Sequence, residues 1–171
     1  MFRAHACRLL VIFCVGLPIG QTTHPDLSGT WQIDIGRSTE SITPLPSDPD
    51  TPRPPAPPPG MAWKTFSPEI LTHKDSELRI QIGSTTDVLE LTTDGQENVN
   101  RMANGRVHRS TSRWEGDTLV THWRLEQNEG VFTEGSDVRV IAQAAHVLID
   151  DRTTRTPWAE AKYHIVWVRQ P

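Results

Sequence analysis

The 171-residue sequence predicts an all-β fold, an antiparallel barrel or sandwich of about eight to ten short strands. Three observations carry this. Apolar side chains recur at alternate positions, as in Leu78-Arg79-Ile80-Gln81-Ile82, which is the two-residue period of a half-buried strand. Turn residues such as Asn104-Gly105 and Glu115-Gly116-Asp117 separate these runs at hairpin spacing. No segment sustains the roughly 3.6-residue period of an amphipathic helix.

The chain opens differently. Arg3 and Arg8 precede an unbroken apolar run over residues 9–17, the pattern of a secretory signal peptide. As a helix this run rises only about 14–18 Å, short of the roughly 30 Å bilayer core. Residues 1–20 are therefore expected to be a signal peptide, ending at Gly20, and residues 21–171 a single secreted or periplasmic domain. Cys7 and Cys14, the two cysteines, would leave with the signal, so no disulfide is expected. Loss of Arg3 and Arg8 takes the net charge from −4 to −6. With no basic block left, nucleic acid is not an expected partner. No second apolar stretch is long enough to span a membrane.

The first strand is expected at residues 28–35, with Trp31, Ile33 and Ile35 sharing a face. Nine of the fourteen prolines then fall between Pro44 and Pro59. Proline lacks the N–H a sheet needs, so residues 44–60 are expected to form an exposed, polyproline-like loop inserted after that strand. Strands follow at 69–73, 78–82, 88–92, 97–102, 106–114, 118–126, 131–141, 146–150 and 162–169. Thr93-Asp94-Gly95-Gln96, Ala103-Asn104-Gly105-Arg106 and Asn128-Glu129-Gly130 are the turn signals between several of them. Asn-Gly favours a hairpin because both residues accept positive φ.

Asp26-Leu27-Ser28-Gly29-Thr30-Trp31 resembles the Gly-x-Trp opening of the lipocalin-like (calycin) β-barrels. It also resembles a family of uncharacterised small secreted bacterial proteins that open with Leu-Ser-Gly-Thr-Trp and carry a Ser soon after, here Ser38. Later pieces of that family match the strand over residues 71–78 and the hairpin Trp114-Glu115-Gly116-Asp117-Thr118-Leu119-Val120. The Pro-rich insert is longer than that family's, and the loop after Ile141 lacks its Asp-Gly turn. The resemblance implies a single antiparallel up-and-down barrel. It also implies that Trp31 closes one end, covered by Arg169 from the last strand as a cation–π pair. Avidin-type barrels share the opening, and Gly36-Arg37-Ser38 mimics their next turn, but their later Tyr- and Trp-borne contacts are unmatched.

No nucleophile elbow frames any Ser, and the six His after the signal are dispersed without His-x-His or His-x-x-x-His pairs. No reaction, cofactor or metal is therefore expected. Asp150 and Asp151, as strand neighbours, point to opposite faces and are expected at a solvated strand end. The hairpin around Gly116 is more informative. Alternation places His108, Ser110, Ser112 and Trp114 on one face of its first strand, and Leu119, Thr121, Trp123 and Leu125 on one face of its second. Arg106, Arg109, Arg113, His122 and Arg124 include the solvent-facing positions. If the Trp-bearing faces point inward, rings and hydroxyls together suit a small apolar or amphipathic ligand. The expected ligand-binding residues are His108, Ser110, Ser112, Trp114, Trp123 and Trp167. The alternative is a filled barrel serving as an envelope interaction or structural module, with no small-molecule ligand. Oligomeric state is not legible.

Overall fold

The computed structural model describes residues 24–46, 68–83, 87–126 and 132–171. The expected signal peptide, most of the Pro-rich loop and the turn at residues 128–130 lie outside them. Eleven strands and no helix occupy the described residues: β1 Gly29–Ile33, β2 Thr39–Pro44, β3 Glu69–Lys74, β4 Glu77–Ile82, β5 Val88–Thr92, β6 Asp94–Arg101, β7 Val107–Glu115, β8 Thr118–Glu126, β9 Phe132–Ala142, β10 Val147–Arg155 and β11 Ala159–Arg169. Every pairing is antiparallel, and the strands run β5-β4-β3-β1-β11-β10-β9-β8-β7-β6 around a nearly closed up-and-down barrel.

The two ends of that sheet, β5 and β6, meet through side chains. The Asn100 amide accepts from the Glu90 N–H at 2.8 Å and donates to the Glu90 carbonyl at 3.0 Å. Two residues earlier on the same face, Asn98 Oδ1 accepts from the Thr92 N–H at 3.0 Å. A side-chain amide carries the same donor and acceptor as a peptide group, so these asparagines satisfy edge groups that would otherwise lie open.

β2 is the one strand not expected from the sequence. Its Thr-Glu-Ser-Ile-Thr-Pro composition is polar, and it forms because β11 is longer than β1. β1 covers the last residues of β11, from Trp167 to Arg169, and β2 covers Ala159 to His164. Between them Ser38 Oγ accepts from the Val166 N–H at 2.9 Å, bridging the break. Pro44, expected to begin the proline loop, instead ends this ladder opposite Ala159. The turn between β9 and β10 holds Gln143, Ala144 and Ala145 at φ of 48°, 52° and 70°. It thus reaches without glycine the left-handed conformation that the missing Asp-Gly would have supplied.

One end of the interior is packed with Leu27, Trp31, Leu71, Leu78, Leu148, Ile165 and Trp167, all at most 2 % exposed. Trp31 Nε1 donates to the Leu27 carbonyl at 3.0 Å. The Arg169 guanidinium lies over its ring, 4.7 Å from the centroid, and donates to the Asp26 carbonyl at 3.2 Å. Gly29 allows this approach: its φ is +143°, and a Cβ there would meet Arg169 Cγ at 3.4 Å.

Candidate functional site

The site begins with two tripeptides of one pattern, Asp137-Val138-Arg139 on β9 and Asp150-Asp151-Arg152 on β10. Strand alternation turns the Asp and Arg of each to the same face. The antiparallel register sets Asp137 opposite Arg152 and Arg139 opposite Asp150. Glu69 from β3 reaches the same place from across the barrel. The result is a buried charged layer. Arg139 donates to Asp150 Oδ2 at 3.2 Å and to Glu69 Oε2 at 3.3 Å. Arg152 Nη2 donates to Asp150 Oδ2 at 2.9 Å, lies 3.5 Å from Glu69 Oε1, and its Nε lies 2.9 Å from Asp137 Oδ1.

Burial penalises every one of these charges, and the partners decide which stay ionised. Burial drives the Glu69 carboxyl above its ordinary value, against the pull of Arg139 and Arg152. Burial also acts upward on Asp150, but the charges and hydrogen bonds of Arg152 and Arg139 outweigh it and hold that carboxyl low. Both guanidiniums are held firmly protonated by the surrounding carboxylates despite their burial. Asp150 is therefore not at a solvated strand end. It is fully buried, while Asp151 on the opposite face is exposed and meets His164 at 2.6 Å. Only the divergence of the two side chains agrees with the sequence reading.

On the side of this layer away from the Trp31 plug lies a cavity of about 370 Å³. Ile80, Ile82, Leu89, Leu91, Met102 and Leu125 supply apolar wall. Asp137, Arg139 and Arg152 form its floor, and Asp87 and Arg106 stand by the strand ends at its rim. Trp123 stands in the wall with its Nε1 donating to Asp137 Oδ1 at 3.2 Å. Its seat depends on Gly135, directly opposite on β9. A Cβ at that position would fall 2.6 Å from Trp123 Cζ2 and 2.1 Å from the Thr153 carbonyl. His108 stacks beside Trp123, ring centroids 6.0 Å apart at 22°. Burial lowers its affinity for a proton, with Asp137 acting in the other direction.

The face of the hairpin that carries His108, Ser110 and Ser112 points inward. His108, Ser110 and Ser112 are buried on β7, opposite Leu125, Trp123 and Thr121 of β8. The candidate ligand-binding residues nonetheless separate. His108 and Trp123 line the cavity. Ser110, Ser112, Trp114 and Trp167 do not. Ser112 shares a 2.9 Å hydroxyl–hydroxyl bond with Thr121, and Ser110 is buried without a hydrogen-bond partner among the described residues. Trp114 belongs to the other end, where it stacks on His24 at 4.7 Å and 3° and lies 5.8 Å from His73. Trp167 is fully buried in the apolar plug. Arg106, grouped with solvent-facing positions in the sequence, lines the cavity. Tyr163, which also lines the cavity, and the charged layer are not anticipated by the sequence reading. The repeated Asp-x-Arg on consecutive strands was the available signal, since a hairpin register that crosses the two pairs explains both.

Among the described residues no group of three His, Cys, Asp or Glu side chains is placed to hold a metal ion. No protein-family model and no curated protein sequence matches the chain.

Proposed function

We propose that this protein is a secreted or periplasmic, lipocalin-like carrier that holds a small apolar or amphipathic molecule in its barrel and performs no reaction on it. The observation that supports this most is the cavity between the charged layer and the strand ends. Its volume of about 370 Å³ falls at the small end of the range of about 300–1,000 Å³ typical of ligand pockets. Aliphatic side chains supply much of its wall, and polar groups such as Asp137, His108 and Arg106 stand among them, a combination that suits the orientation of an amphipathic guest. The rival reading, a filled barrel serving as an interaction module, is favoured by the plugged half around Trp31 and Trp167 but not by this one.

Trp123 reports on the cavity directly. Titration of the purified protein with a panel of short amphipathic and aromatic molecules is expected to change its emission. Native mass spectrometry of protein recovered from the producing cell is expected to show a retained small molecule. Unchanged emission across the panel, with only the apo mass detected, refutes the carrier reading. N-terminal sequencing of the exported protein tests the signal peptide, with cleavage expected near Gly20.

A further inference from the structure

Among the described residues, the charged side chains that line the cavity are Asp87 and Asp137 against Arg106, Arg139 and Arg152, a net positive lining. All but one of them are engaged. Arg139 and Arg152 lie in the buried layer against Asp137 and Asp150, two guanidiniums for two carboxylates, while Glu69 is held toward its protonated form. Asp137 also accepts from the Trp123 indole at 3.2 Å. Asp87, at the rim, accepts from the Ala103 N–H at 2.7 Å. Arg106 is the exception. Its guanidinium forms no hydrogen bond or ion pair with any of the described residues, although its Nε is shielded from solvent.

A second group beside it is also without a partner. His108 follows two positions later, is 8 % exposed and lines the same cavity, and its Nδ1 has no hydrogen-bond partner among the described residues. A shielded donor that lacks an acceptor is costly, and an oxyanion entering at the mouth supplies acceptors to both side chains. The planar fork of a guanidinium matches the two oxygens of a carboxylate. Imidazole donates a further bond from whichever nitrogen holds its proton. An ammonium finds no such reception: the two carboxylates that face the cavity are taken, and Arg106 repels a second cation in a poorly solvated space.

We infer that the cavity takes a monoanionic amphiphile, an alkyl or aryl carboxylate whose head is held at the mouth by Arg106 and His108 while its apolar body lies along Leu89, Met102 and Trp123. The inference rests on the carrier reading and adds the charge class of the guest. Calorimetric titration of the wild-type protein at neutral pH with phenylbutyrate, phenylbutanol and phenylbutylamine tests it, since the three share one apolar body. The carboxylate is expected to bind at least about tenfold more tightly than the alcohol, with the amine weakest. The Arg106→Met variant is expected to bring the carboxylate down to the affinity of the alcohol. The wild-type ranking is decisive even if that variant does not fold. Binding of the alcohol or the amine as tightly as the carboxylate overturns the charge assignment and leaves the carrier reading standing. A carboxylate preference that survives Arg106→Met puts the head on the floor guanidiniums and overturns the role of Arg106. Absence of binding by all three overturns both the inference and the carrier reading.

Discussion

Replacing Arg139 by Met keeps most of the side-chain volume and removes the charge that joins β9 to β3 and β10. In the wild type this guanidinium is 2 % exposed and touches Asp150 at 3.2 Å and Glu69 at 3.3 Å. Without it, three carboxylates face Arg152 alone. Removing one partner of a buried ion pair costs about 3–5 kcal/mol, because the charge left behind has neither water nor counter-ion. Taking about 4 kcal/mol and a urea m-value of about 2 kcal/mol/M, the unfolding midpoint should fall by about 2 M. Tryptophan emission follows the transition, since Trp31 and Trp167 are fully buried.

The deficit should also depend on pH. Glu69 has a folded-state value above its ordinary 4.5. Such a group contributes its full stability below the unfolded value and loses it as pH rises through the folded one. In the variant one of the charges pulling Glu69 down is gone, so its carboxyl rises further and takes up a proton more readily. The gap between variant and wild type should therefore narrow as pH falls through the raised Glu69 range, above the window in which Asp150 titrates. Adding Glu69→Gln to the variant removes the surplus carboxylate and should recover about 2 kcal/mol, a coupling expected of groups in one network. A loss below about 1 kcal/mol, or a gain, would show that the charges are solvated in a way the buried layer forbids and would refute the reasoning.

Four further outcomes follow from the same physics. Asn100→Ala removes both bonds to Glu90 and should cost about 1–3 kcal/mol, at about 0.5–1.5 each, with faster hydrogen exchange at the Glu90 amide than at the Leu89 amide inside the β4–β5 ladder. Arg169→Ala removes the cation over Trp31 and should lower stability by about 0.5–2 kcal/mol in chemical denaturation; no loss would count against the pair. Gly135→Ala drives a methyl into Trp123 and the Thr153 carbonyl, so a lowered melting temperature, corresponding to at least about 1–3 kcal/mol, is expected together with altered Trp emission. His108 should titrate by NMR below the ordinary 6.5. A depressed folded value means stability present above that ordinary value and lost as pH falls through the folded one, so His108→Gln should flatten the acid side of the stability profile.

Much of the fold was legible because its signals are local. Turn residues and period-two alternation located ten of the eleven strands, and they set His108, Ser110 and Ser112 on one face of β7 and Thr121 and Trp123 on one face of β8. β2 was not legible: its polar residues form a strand only because β11 extends past β1 and presents an open ladder. β10 was read as ending at Asp150, and this hid the site. A strand continuing to Arg155 carries Arg152 inward beside Asp150, and the acid that seemed bound for water acquires two guanidiniums.

Alone, the amino-acid sequence determined which residues alternate, where the chain reverses and which side chains share a face of one strand. These depend on neighbours in the chain, whose geometry repeats every two residues. It also carried the Gly29-x-Trp31 opening and the arginine that covers it. The tertiary structure decided which inward residues meet. Trp114 and Trp123 lie on inward faces of one hairpin, yet one stacks on His24 outside the cavity and the other walls it. Glu69 joins Arg139 across 70 positions of sequence. Depth along the barrel axis depends on how strands from distant segments are tilted and staggered against one another. No local pattern records that, and it separates a packed plug, a charged floor and a cavity within one ring of strands.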